Sequence, residues 1–267
     1  MFITQKSLWK IVGVLLIYAF LGSLCLLLWA SRAMLDFADT FLLVVGVLCF
    51  LACPLIFLWG WRAEGKGRYL ALGNKLIRVK LKPREFIREY EALMTSETLV
   101  YKKPCMEIFY LLLVAHDLLD EEERVLFYAE EIIRSAPKKK KATARLIKAD
   151  VLFAQGRFDE GEALFVDVQR EKMSLTCRAF ADSVYKSDRA MALGDYQTVE
   201  TWNLTNLSQT FPKPDALTAL VRHWQLAEVY EKMGDKEKAI VHYEYCAAHG
   251  GETAITEKAR AALLALK

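Results

Sequence analysis

The chain has 267 residues, 54% of them hydrophobic and 26% charged, and a formal net charge of +3. That length allows one or two domains with a sizeable core. A pI near 8.4 without an interleaved aromatic platform argues against nucleic-acid binding, and a mean hydropathy of +0.15 raises the question of where the apolar residues lie.

They lie at the start. Residues 11–30 (IVGVLLIYAFLGSLCLLLWA) and 41–61 (FLLVVGVLCFLACPLIFLWGW) carry no charge. Each is long enough as a helix to cross a hydrocarbon core of roughly 30 Å. The first is too long for a signal-peptide core and is followed by a second. A two-helix transmembrane hairpin is therefore expected over residues 1–61. Lys6 and Lys10 precede the first span, and only Arg32 lies between the two, beside Asp36 and Asp39. Arg62, Lys66, Arg68, Lys75, Arg78, Lys80, Lys82 and Arg84 follow the second, against a single Glu64. Lys and Arg stay on the cytoplasmic side. The expected protein is multi-pass in the plasma membrane with both termini cytosolic, and fold-level analogy favours a bacterial membrane. Residues 62–82 form a basic juxtamembrane segment suited to anionic lipid head groups. Inside it, LIRVKLK alternates with period two but has no evident pairing partner, and is expected as helix or interfacial linker.

From Pro83 to residue 267 the pattern is helical throughout, so the fold class is all-α. PREFIREYEALM opens with a proline suited to a first turn and sets Phe86, Tyr90 and Leu93 on one stripe. Residues 106–119 and 121–136 read as a helical pair joined near Asp120, closed by Pro137. Three glycines, Gly156, Gly194 and Gly234, then each fall between two helical patterns, where glycine can end a helix in the left-handed region. The same offsets recur around them. Seven before stand Ala149, Ser187 and Ala227, and four before, Leu152, Ala190 and Tyr230. Five after stand Gly161, Val199 and Ala239, and nine after, Phe165, Asn203 and Tyr243. Small residues admit close helix approach and large ones fill the space between pairs, as a stack of hairpins requires.

In these residues the chain resembles the tetratricopeptide repeat (TPR) family. WQLAEVYEKMGDKEKAIVHYEYC (224–246) matches well, ARLIKADVLFAQGRFDEGEALFVDV (144–168) fairly, and SDRAMALGDYQTVETWNLTNL (187–207) weakly. The resemblance covers about residues 106–260 and implies a TPR-like α-solenoid of about three to four hairpins, the pair at 106–136 being a degenerate first unit. In that family the face of each first helix about 100° from its packing face lines a concave, peptide-binding groove. Here that face carries Leu146, Asp150 and Phe153, then Val184, Asp188 and Met191, then Trp224, Glu228 and Glu231. Some members clamp a C-terminal carboxylate there with Lys and Asn. The acids six residues before each glycine, Asp150, Asp188 and Glu228, imply instead a protein partner with a basic or apolar segment.

Other signals are weak. The lysines at 138–141 fit a solvated connection between helices. His116, His223, His242 and His249 form no metal-ligand motif, and no nucleophile elbow, phosphate loop or dinucleotide fingerprint occurs. The six cysteines show no paired spacing. No catalytic residue, cofactor or metal is therefore assigned, and an enzyme is not expected. The expected function is a membrane-anchored interaction scaffold binding a partner protein at the cytosolic face. The alternative is an accessory subunit of a transport, secretion or envelope-assembly complex, its spans packing through Gly13, Gly22 or Gly46; a third reading, behind these two, is an enzyme with an unrecognised site.

Overall fold

The computed structural model describes residues 2–30, 44–48, 52, 67, 69–95, 99–102, 105–171 and 173–266. The chain divides into two compact units, residues 1–69 with 92–104, and residues 70–91 with 105–267.

The first unit contains strand β1 (Phe2–Thr4) and helix α1 (Gln5–Ala30). Strand β2 (Leu99–Lys102) pairs antiparallel with β1, Phe2 facing Lys102 and Ile3 facing Tyr101, with an irregularity before Thr4. So short a ribbon shows too little alternation to be read from sequence. The expected transmembrane hairpin is overturned: among the described residues no helix is long and apolar enough to cross a membrane. The first span falls on α1, which opens on Gln5 and Lys6 and carries Lys10. Of the second span only 44–48 and 52 are among the described residues. The loop at 31–40 and most of 62–68 lie outside them. The multi-pass plasma-membrane placement with cytosolic termini loses its basis with the hairpin.

The second unit begins before Pro83. A π-helical segment, Asn74–Val79, buries Leu76 and Ile77, so this part of the expected juxtamembrane stretch belongs to the helical body. Helix α2 follows (Pro83–Thr95), burying Phe86. Then come α3 (Met106–Asp117) with α4 (Glu122–Ser135), and α5 (Lys141–Ala154) with α6 (Phe158–Gln169). Next are α7 (Leu175–Lys186) and α8 (Asp188–Ala192), one helical rod broken at Ser187, paired with α9 (Tyr196–Leu207). The last pair is α10 (Ala216–Lys232) with α11 (Lys236–His249), and α12 (Ala254–Leu266) covers its end.

One turn design joins the hairpins. Gly156, Gly194 and Gly234 have φ of 72°, 75° and 80°. At each, the glycine N–H donates to the carbonyl three back and the next N–H to the carbonyl five back, as Gly234 to Glu231 (3.1 Å) and Asp235 to Tyr230 (2.8 Å). These bonds satisfy carbonyls that a helix end otherwise leaves open. Asp195 and Asp235 then cap the following helices, each accepting from the N–H three residues on. The same turn closes the 106–136 pair, where Asp120 takes the glycine's place at φ 62° and Glu121 donates to the His116 carbonyl at 3.0 Å. Residues at the four recurring offsets are buried around all three glycines, from Ala149 to Tyr243. Around Asp120 the same offsets bury Leu113, His116, Val125 and Ala129. The wider glycine spacing reflects the long broken rod of α7 and α8, the connection at 208–215, and the long α10.

The two ends of this unit meet. Leu81 packs into the core formed by Leu220, Leu226, Tyr243 and Ala259, and its carbonyl accepts from Glu252 N–H at 3.1 Å. Ala254 N–H donates to the Leu118 carbonyl at 2.8 Å, and Lys258 pairs with Asp120. Hence α12 docks on the turn of the first hairpin. A Cβ at Gly251 (φ 62°) would stand 2.8 Å from the Leu81 carbonyl oxygen, whereas one at Gly234 would meet nothing within 4 Å. Gly234→Ala should therefore cost only the left-handed backbone penalty, roughly 1–2 kcal/mol. Gly251→Ala should cost more, because it adds a clash with backbone. Urea denaturation of the two variants checks the order.

Candidate functional site: an acid-lined cavity between the first helices

The first helices of all four hairpins, with the π-helical segment, wall a cavity of about 320 Å³. Small-molecule sites begin near this size. Tyr110 and Asp117 come from α3, Asp150 from α5, Asp188 from the break between α7 and α8, and Arg222 and Gln225 from α10. Leu113, Ile147 and Phe180 supply apolar wall. Arg78 lines the same cavity and is paired with Asp215 at 3.1 Å.

The break at Ser187 places Asp188. Ser187 is turned out of helical geometry (φ −109°, ψ −102°), and its hydroxyl donates to the Ser183 carbonyl at 2.8 Å. Asp188 then starts a new short helix. Its Oδ1 accepts from Gln225 Nε2 at 3.0 Å, and its Oδ2 lies 3.3 Å from the Ser187 hydroxyl oxygen. Gln225 Oε1 in turn accepts from Arg222 Nη1 at 3.0 Å, and the same nitrogen donates to Asn203 Oδ1 at 3.1 Å. Asp188 is thus held by a relay from α10 and leaves the positive charge of Arg222 one residue removed.

Asp150 is the exception in this network. It stands within hydrogen-bonding reach of Asp188, but its Oδ1 is shielded from solvent and has no hydrogen-bond partner among the described residues. Arg222 Nε is also buried and unpartnered. An enclosed carboxylate without a donor is unfavourable by roughly 1–3 kcal/mol or more, so it holds a proton or awaits a ligand.

The electrostatics follow. Burial first, then the Asp188 charge and the contact with it, push the Asp150 carboxyl well above its ordinary 3.8. Burial and then Asp188 raise Glu228 to about 7. Asp117 is pushed up to about 6, by surrounding protein first and by Asp188 and Asp120 next. Asp117 is nonetheless exposed on the cavity wall, and solvent there tempers its desolvation, so the weight rests on Asp150. Burial also lowers Arg222, against the pull of Asp188 and Asp150. Two carboxyls in contact share a proton more readily than they both ionise. Chemically, such a pair can hold one proton or exchange it for a cation.

Of the nine candidate residues expected on a partner-binding groove, Asp150 and Asp188 line this cavity. Glu228 lies outside the lining but close enough to Asp188 to be raised by it. Leu146, Phe153 and Val184 are buried in the core around Phe165 and Cys177. Met191 packs on the small core of Ala190, Val199 and Val229, and Trp224 against Tyr243 with ring centroids 5.5 Å apart. Glu231 is exposed and accepts from the Tyr243 hydroxyl at 2.6 Å. On α5 the lining stripe runs through Ile147, Asp150, Val151 and Ala154, one position round from the expected face. Asp117, Arg222 and Gln225 were missed. Asp117 sits three residues before Asp120 as Phe153 sits before Gly156, a register invisible while that turn has no glycine.

The remaining motifs are structural. Lys140 pairs with Glu107 at 2.8 Å, and Lys138–Lys140 form a single 3₁₀ turn opening α5. His116 Nδ1 lies 2.6 Å from Glu121 Oε2. His223 and His242 meet Nδ1 to Nδ1 at 2.8 Å, and His223 is pushed down to about 4 by burial first and by His242 and His249 next. Among the described residues no three His, Cys, Asp or Glu side chains are placed to hold one metal ion. Compared with known proteins, the chain matches no family model, no curated protein and no solved structure.

A pH dependence follows from the carboxyls. Above about pH 4 the unfolded chain has released protons that folded Asp150 and Glu228 retain, so the contribution of these two groups to stability is greatest below that pH and falls as pH rises through about 7, where Glu228 ionises in the fold. Asp150→Asn removes one such proton and keeps an N–H for Asp188. Differential scanning calorimetry should show its Tm ~2–4 °C above the parent at neutral pH and converging with it near pH 4.

Proposed function

We propose that residues 70–91 with 105–266 form a TPR-like repeat domain that binds a positively charged segment of a partner protein, and that its output is binding and not catalysis. One observation carries this: Asp150 and Asp188 occupy the same register on successive first helices and converge on one cavity. In the lining, three acids, Asp117, Asp150 and Asp188, outnumber Arg78 and Arg222, while Glu228, outside it, has Lys258 and Lys232 nearby. Arg222 is tied to Gln225 and Asn203, and Arg78 to Asp215. Complementary charge would give such a segment orientation and a fast encounter, while Tyr110 and Phe180 offer apolar contact. The repeated turn and the offsets around it support the TPR-like assignment.

Fluorescence anisotropy on the full chain tests the proposal, using labelled peptides of equal length that are basic-apolar, neutral or acidic. The basic peptide should bind at least about tenfold more tightly than the acidic one. Its affinity should fall with added salt. Asp188→Lys with Glu228→Lys should abolish the preference. Equal binding of all three peptides, or an unchanged preference in the double variant, would remove the proposal.

A further inference from the structure

We propose that the cavity takes a single alkylammonium or alkylguanidinium group, its cationic head seated on Asp150 beside Asp188 and its stem lying along Tyr110, Leu113 and Phe180. This rests on the charge preference above and names the anchoring chemistry. The first observation is geometric: a cavity of about 320 Å³ is too small for a folded segment and suited to one side chain or a small amine. The second is Asp150, a residue of the cavity wall whose Oδ1 is shielded and without a donor among the described residues. A third concerns the neighbours. Asp188 Oδ1 already accepts from Gln225, so Asp188 is held in place while Asp150 retains an open acceptor. The missing partner is thus a donor, and the surrounding charge asks for a positive one. The wall is mixed in the way an aliphatic stem with a charged tip requires.

Binding would exchange a proton for the cation. The titratable and charged groups facing Asp150 are Tyr110 and Asp117 on α3, Asp188 on α8, Arg222 on α10 and Arg78 on the π-helical segment. Arg222 and Arg78 repel the incoming head, but each already serves a polar partner elsewhere. The incoming cation favours the ionised form of the Asp150–Asp188 pair, so its affinity rises with pH and its binding releases a proton.

A partner's side chain and a free diffusible amine carry the same head group, and two arms of one experiment separate them. Isothermal titration calorimetry on the full chain would compare the N-acetyl methylamides of lysine and arginine with n-butylammonium. The N-acetyl methylamide of norleucine serves as the neutral control. Expected is one-to-one binding of at least one cation, at least about tenfold stronger than norleucine, and weakened by about tenfold or more in Asp150→Asn. Affinity should be higher at about pH 8 than at about pH 5.5, with a heat that depends on the buffer in the sense of proton release. Binding of the amino-acid derivatives alone assigns the site to a partner's side chain, and binding of butylammonium alone assigns it to a free amine. Thermal unfolding verifies that Asp150→Asn is folded, and Asp188→Asn repeats the test from the other carboxyl. If norleucine binds as well as lysine, or both Asn variants keep full cation affinity, the inference is overturned. Should the basic peptide still bind in both Asn variants while no small cation binds, the cavity assignment fails and the charge preference stands. Cation binding with no peptide preference sinks the protein-partner proposal and leaves the cavity to a free amine.

Discussion

A left-handed residue at the end of each first helix governs this fold. Three glycines and Asp120 hold that conformation, and the paired backbone bonds around each one fix how the second helix leaves the first. Because the turn is the same four times, the residues packed inside each hairpin fall at the same distances from it. The chain order of α3, α5, the α7–α8 rod and α10 then becomes a spatial order around one cavity. A different exit angle at one turn would separate the carboxyls that meet there.

Closure is the second consequence. An open stack leaves its first and last faces exposed and needs caps. Here the Leu81 and Leu118 carbonyls receive Glu252 and Ala254, and Leu81 enters the core of the last hairpin. The inner face is therefore partly screened from solvent. Screening is what makes its charges matter: the same acids on an open surface would be solvated and nearly independent. Inside a cavity they repel, hold protons and leave one oxygen without a partner. Ser187 contributes by breaking the third first helix where a small helical residue would have continued it, which turns Asp188 toward Gln225. Stability and binding are set against each other at Asp150, since the features that make it a receptor for a cation also oppose folding at neutral pH.

Much of the helical body was legible. Offsets counted from Gly156, Gly194 and Gly234 pick out residues that are buried, because a helical hairpin with a fixed turn has a fixed interior. The first hairpin, 106–136, was legible only as a degenerate pair, since Asp120 performs the turn without glycine's signature. Asp150 and Asp188 reach the cavity, while Leu146, Phe153 and Val184 pack into the core, because a helix held by neighbours on two sides buries more than one stripe. At the N-terminus, uninterrupted apolar residues implied two membrane crossings, and no helix among the described residues is long and apolar enough to make one.

By itself the sequence determined local matters: helices from periodic apolar residues, their ends from Gly and Asp, and the small and large positions that let hairpins nest. These are properties of neighbours within a dozen residues, encoded by spacing. Tertiary structure alone decided that Asp117, Asp150 and Asp188 share one cavity with Arg222, and that Arg222 is tied to Gln225 and Asn203 and hydrogen-bonds to none of those acids. That outcome depends on the rotation of four helices about their axes and on the meeting of residues 81 and 252. Both are set by the summed packing of the whole unit, and no local pattern records them.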